Sequence, residues 1–111
     1  MMLQDEHTTL ASLRQKVADF AAAREWQRFH NGKNLAMSIA IEAAELMEHF
    51  QWTPEATTVA DRAEVAEELA DVLIYALAFA NSQGIDVAAA VTAKLDKNER
   101  RFPPLGGEPH E

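Results

Sequence analysis

The chain has 111 residues, no cysteine, and 18 acidic residues against 10 Lys and Arg, a net charge of −8. That length makes one domain, and 48% apolar with 25% charged residues make it globular rather than disordered. The missing cysteines exclude a disulfide scaffold, a thiolate zinc site and a cysteine nucleophile, and the acidic balance argues against a nucleic-acid-binding surface.

Four helical segments are expected, and they account for nearly the whole chain. The first runs from about Thr9 to Phe29, with Leu10, Leu13, Val17 and Phe20 on one stripe of a 3.6-residue period. Thr8 or Thr9 can cap it, and His30-Asn31-Gly32 ends it. The second runs from about Asn34 to Phe50. Leu35, Ile39, Leu46 and Phe50 mark one side, alanines allow close approach, and Pro54 prevents continuation. The third runs from about Val59 to Ser82. Its second half, ADVLIYALAFA, is apolar nearly all round and is expected to be the most buried helix, with Gly84 as its stop. The fourth starts after Asp86, a plausible N-cap, and ends near Arg101 before Pro103-Pro104.

No period-2 run competes, so the expected class is all-α, a four-helix, bundle-like single domain with its ordered core at about residues 8–103. The tail, residues 104–111, has turn-forming composition and is expected to be disordered. No apolar run approaches the roughly 18 residues of a membrane span. The start, MMLQDEHTTL, lacks the basic and apolar regions of a signal peptide. A cytoplasmic location is therefore expected.

Half of the acidic residues lie between positions 42 and 71: Glu42, Glu45, Glu48, Glu55, Asp61, Glu64, Glu67, Glu68 and Asp71, opposed there by Arg62 alone. Outside this stretch acids and bases balance, so these residues carry the whole charge imbalance. Glu42 and Glu45 share a face of the second helix, and Glu68 and Asp71 repeat that spacing on the third. Both pairs border apolar sequence: Glu42 lies between Ile41 and Ala43-Ala44, and Asp71 leads into Val72-Leu73-Ile74. Carboxylates beside a core are costly unless paired or bound to metal. With few bases nearby, a hard divalent cation with oxygen ligands fits better, Mg²⁺ foremost with Mn²⁺ as a substitute. A di-iron site needs Glu-x-x-His on two helices, which this sequence lacks.

The fourth helix carries a complementary stripe, Lys94, Lys97, Asn98 and Arg101, spaced to face one way. Beside a metal site it reads as a clamp for phosphates, which Lys33 can join. Trp26, Trp52 and Tyr75 are aromatics able to stack on a nucleobase, with Tyr75 one turn after Asp71 on the carboxylate face and His30 a candidate of the same kind. His49 is expected to be structural or to border the site.

In three stretches, Phe20–Trp52 (FAAAREWQRFHNGKNLAMSIAIEAAELMEHFQW), Glu67–Tyr75 (EELADVLIY) and Lys94–Pro103 (KLDKNERRFP), the chain resembles the MazG-like all-α nucleoside triphosphate pyrophosphohydrolases. It is most similar to the dCTP pyrophosphatase branch, over about residues 10–103. The resemblance implies Mg²⁺ ligation by Glu42, Glu45, Glu68 and Asp71, phosphate contacts from Lys94, Asn98 and Arg101, and base contacts from Trp26, Trp52 and Tyr75. It also implies dimers or dimers of dimers whose sites are shared between protomers. Two departures bear on the mouth of the pocket: a shorter connection after Trp52 and an almost absent C-terminal extension.

The activity expected on this basis is Mg²⁺-dependent hydrolysis of a (deoxy)nucleoside triphosphate, such as dCTP or a related or modified pyrimidine nucleotide. The products would be monophosphate and pyrophosphate, and the role nucleotide-pool housekeeping. Glu45 or Glu67 would take the proton of the attacking water. The rival reading is a non-catalytic acidic helical oligomerisation or binding module.

Overall fold

Short polar side chains start each of the four α-helices. The computed structural model describes residues 3–52 and 61–106. Among them it contains four α-helices and no strand: α1 (Leu10–Ala23), α2 (Gly32–Glu48), α3 (Arg62–Gln83) and α4 (Val87–Arg101). Thr9 Oγ1 accepts from the Ser12 amide at 3.1 Å, and Asn31 Oδ1 from the Asn34 amide at 2.8 Å. Asp61 Oδ1 accepts from the Ala63 and Glu64 amides at 3.0 and 3.2 Å, and Asp86 Oδ1 from the Ala89 amide at 2.9 Å. Each cap satisfies donors that the first turn of a helix leaves unpaired.

The all-α expectation holds, and the boundaries differ in detail. The first helix ends at Ala23 instead of continuing to Phe29, although Ala22 to Glu25 are all good helix formers. Tertiary contact decides the point. A continuous helix would turn Trp26 to a different face from Phe20, six residues earlier. Glu25 instead adopts a left-handed backbone with φ 57°, and a 3-10 turn over Trp26–Phe29 follows. Trp26 thereby folds back edge-on to Phe20, with ring centroids 5.6 Å apart, and the Arg24 guanidinium covers the same Phe20 ring at 3.5 Å. Helix α2 starts two residues earlier than the expected Asn34 and is capped by Asn31. Asn34 Nδ2 donates to Phe29 O at 3.0 Å and ties the 3-10 turn to the new helix. The expected start of the third helix at Val59 lies outside the described residues, as do residues 107–111 of the tail.

Helices α2 and α3 form the main pair and run antiparallel. A Cβ on Gly32, the first residue of α2, would stand 3.1 Å from Gln83 Nε2 at the end of α3. Helix α1 packs on α3 through a reciprocal pair: Arg14 Nε donates to Asn81 Oδ1 at 3.0 Å, and Asn81 Nδ2 donates to Arg14 O at 3.1 Å. The core between these helices is small: Ala21, Leu35, Leu77, Ala78 and Ala80 are buried, Leu35 to 1% exposure. Three of the five lie in the apolar half of α3.

Helix α4 stands apart. Gly84, at φ 65°, closes α3 while the Ile85 amide donates to Ala80 O at 3.0 Å, and the chain then bends by 104°. No residue of α4 is buried. Val91, Leu95 and Phe102 are exposed, as are Leu13, Phe20, Leu73 and Ile74 on α1 and α3. No single described helix is long and apolar enough to cross a membrane.

Candidate functional site

The antiparallel pairing of α2 and α3 brings the two acidic motifs face to face. Ser38, Glu42 and Glu45 recur at one-turn spacing on α2, and Tyr75, Asp71 and Glu68 do the same in reverse on α3. Glu42, Glu68 and Asp71 each place one carboxylate oxygen within 4.8 Å of the others. Glu45 lies within hydrogen-bonding reach of both Glu42 and Glu68.

Electrostatics make the cluster unstable as a set of bare anions. The Glu42 carboxyl is pushed up to about 7, first by the hydrogen bond its protonated form makes with Glu45, then by desolvation and the charges of Glu45, Asp71 and Glu68. Glu68 is raised above the ordinary carboxylate range, first by desolvation and then by Glu45, while His49 acts in the opposite direction. A proton thus does the work of an absent counter-charge. His49 Nε2 lies 3.8 Å from Glu68 Oε1, and among the described residues no Lys or Arg forms an ion pair with the cluster.

These residues fit a hard cation. Glu42 Oε2 and Glu68 Oε2 are shut off from solvent yet have no hydrogen-bond partner, a costly state for a carboxylate oxygen unless something binds it. Convergent carboxylate oxygens with no thiolate or imidazole among them are the donor set of Mg²⁺ and its relatives rather than of a softer metal.

An aromatic pocket adjoins the carboxylates. Trp26, His30 and Tyr75 line a cavity of about 300 Å³ together with Ser38, and the same three border a groove of about 570 Å³ that reaches Asp71. Trp26 and His30 are tilted against one another with ring centroids 6.3 Å apart. Ser38 lies one turn before Glu42 and Tyr75 one turn after Asp71, so pocket and carboxylates are about 6 Å apart along the helix axes.

The other expected site residues lie elsewhere in the chain. Trp52 is 86% exposed and lines neither cavity. Glu67 is exposed, and Glu42, Glu68 and Asp71 converge without it. Lys33 occupies the first turn of α2, nine residues and about 13 Å along the axis from Glu42. Lys94, Asn98 and Arg101 ride on α4, and no ion pair joins them to the carboxylates. Ser38 was not singled out from the sequence; its signal was the one-turn spacing to Glu42.

Residues 37–108 match the MazG-like family. The chain is 42% identical to dCTP pyrophosphatase 1 of Bos taurus over 101 residues, covering 86% of this chain and 60% of that one. The Homo sapiens protein of the same name gives 42% identity, with 86% and 59% covered. The chain therefore spans about 60% of the length of these curated relatives. A solved pyrophosphatase from Archaeoglobus fulgidus superposes with a TM-score of 0.78 at 38% identity, covering 93% of this chain and 100% of that one. The motifs in α2, α3 and α4, the helical fold and these matches agree: the chain belongs to the MazG-like family.

Proposed function

We propose that this protein is an Mg²⁺-dependent nucleoside triphosphate pyrophosphohydrolase that converts dCTP, or a related or modified pyrimidine nucleotide, to monophosphate and pyrophosphate. The observation that carries this reading is the convergence of Glu42, Glu68 and Asp71 one helical turn from an aromatic pocket. A cation site next to a stacking surface suits a ligand with phosphates at one end and a base at the other. The pyrophosphatase names of the relatives support it.

Glu42, Glu68 and Asp71, with Glu45 beside them, would hold the cation. Bound there, Mg²⁺ would supply positive charge for phosphate oxygens and lower the pKa of a water. Trp26, Tyr75 and His30 hold the base, and this anchors the phosphate chain over the carboxylates. Water adds to phosphorus, the bond between the α- and β-phosphates breaks, and pyrophosphate leaves. Glu45 takes the proton of that water: it adjoins both Glu42 and Glu68, whereas Glu67 is exposed.

The phosphate clamp comes from a second copy of the chain, in a homodimer or homotetramer. The Lys94, Asn98 and Arg101 stripe lies on a helix with no buried residue, and an apolar groove between α1 and α3, with Phe20 51% and Leu73 53% exposed, lies open beside Asp71. An exposed apolar face of this kind marks an interaction surface. Lys94 and Arg101 from the partner would offset the charge that builds on the leaving pyrophosphate. Trp52 at the end of α2 would close over the base, and Lys33 would add charge at the rim. Removal of surplus or modified deoxynucleotides in the cytoplasm is the role that follows.

The test is a pyrophosphate-release screen over standard and modified nucleotides, with Mg²⁺ and with a chelator. Release that needs Mg²⁺ and is lost in Glu42→Gln and Asp71→Asn supports the reading. Release unchanged in both variants refutes it, and no release from any nucleotide leaves the non-catalytic module standing.

A further inference from the structure

We propose that Ser38 is a specificity-determining residue: its hydroxyl acts as a hydrogen-bond acceptor that selects a base carrying an exocyclic amino group over one with a carbonyl at the same place. The proposal rests on the nucleotide reading of the site and deepens it. Ser38 lines the 300 Å³ pocket together with Trp26, His30 and Tyr75. It is half-buried on the face of α2 that also carries Glu42.

The direction of the preference follows from where the hydroxyl proton goes. Ser38 Oγ donates to Asn34 O, one turn back along α2, at 3.0 Å. A serine hydroxyl has a single proton and two lone pairs. With the proton committed to the backbone, the pocket meets the lone pairs. An amino group on the base donates to Oγ without disturbing that bond. A carbonyl on the base sets oxygen lone pairs against oxygen lone pairs. To donate to it, the hydroxyl must give up its 3.0 Å bond to Asn34 O.

The stacking side chains do not supply this discrimination. Trp26 and Tyr75 offer faces to any base, and stacking surfaces tolerate all four. Asn34 Nδ2 is tied to Phe29 O at 3.0 Å. A site built around a particular hydrogen bond discriminates far more strongly than an apolar wall does.

dCTP and dUTP differ in amino against carbonyl at one ring carbon and in the hydrogen that uracil carries on the adjacent ring nitrogen, so they form the test pair. kcat/KM is measured for both with wild type, Ser38→Ala and Ser38→Thr, and circular dichroism checks the fold of each. Wild type is expected to favour dCTP. Ser38→Ala should lower the dCTP:dUTP ratio by about tenfold, the size of one well-made hydrogen bond to a ligand. Ser38→Thr, which keeps the hydroxyl and can make the same backbone bond, should retain the preference. A wild-type preference for dUTP, a ratio in Ser38→Ala within about twofold of wild type, or an equal loss on both nucleotides overturns the proposal while leaving the pyrophosphohydrolase reading intact. Absence of pyrophosphate release from every nucleotide by wild type overturns both.

Discussion

His49 Nε2 lies 3.8 Å from Glu68 Oε1, and this imidazole is the one basic group in ion-pair range of the acidic cluster among the described residues. It sits four residues after Glu45, at the C-terminal cap of α2, where a helix end favours a positive charge. The contact relieves part of the carboxylate crowding at Glu68. His49→Leu should therefore lower the melting temperature of the metal-free protein by a few degrees. With Mg²⁺ saturating the cluster, the difference from wild type should shrink. Thermal melts in chelator and in Mg²⁺ check both halves.

The raised Glu42 carboxyl makes stability depend on pH in a defined direction. Its folded value is about 7 against an ordinary 4.5. Between those values the folded state holds a proton that the unfolded chain has released, so stability falls as pH rises through that window. Below it no penalty remains. The metal-free protein should lose stability from pH 4.5 to 7, and Glu42→Gln should flatten the slope. Melting temperature against pH, in chelator, measures this.

Mg²⁺ should reverse the trend at neutral pH. A cation held at about a hundred times its dissociation constant stabilises the folded state by about 2.7 kcal/mol. Because Glu42 is partly protonated near pH 7, uptake should also release up to about one proton. Calorimetric titration in two buffers of different ionisation enthalpy reads that proton directly. In Glu42→Gln and Asp71→Asn both the stabilisation and the proton release should be lost.

A shared site predicts complementation. Glu42→Gln and Lys94→Ala should each be inactive alone. Mixed after co-refolding as a dimer, they should regain about a quarter of wild-type activity, because half the dimers are mixed and each of these has one intact site. If carboxylates and Lys94 of a site belong to the same protomer, the mixture stays inactive.

The small core makes one residue critical. Leu35, exposed by only 1%, lies beneath the aromatic pocket between α2 and α3. Leu35→Ala should cost about 2–5 kcal/mol, and in a core of this size that is enough to threaten folding at 37 °C. Urea denaturation checks it.

The carboxylate placement was legible because helical periodicity alone puts Glu42 with Glu45 and Glu68 with Asp71, and short connections make neighbouring helices adjacent. The Asp86 cap and the Gly84 stop were legible for the same local reasons. The break at Glu25 was not, since it overrides helix propensity in favour of the Trp26–Phe20 contact. Nor was the position of α4, whose exposed Val91 and Leu95, with Phe102 just beyond its end, find no place against α1–α3 that periodicity could indicate. Ser38 escaped notice because a helical serine is commonplace, and its significance depends on the Asn34 bond and the pocket.

The most direct test of the central claim, that the carboxylate cluster serves cleavage between the α- and β-phosphates, is phosphorus NMR of dCTP incubated with the purified protein and Mg²⁺. The account predicts dCMP and pyrophosphate as the first products. Formation of dCDP and orthophosphate, or persistence of every pyrimidine nucleoside triphosphate tried in place of dCTP, would contradict it.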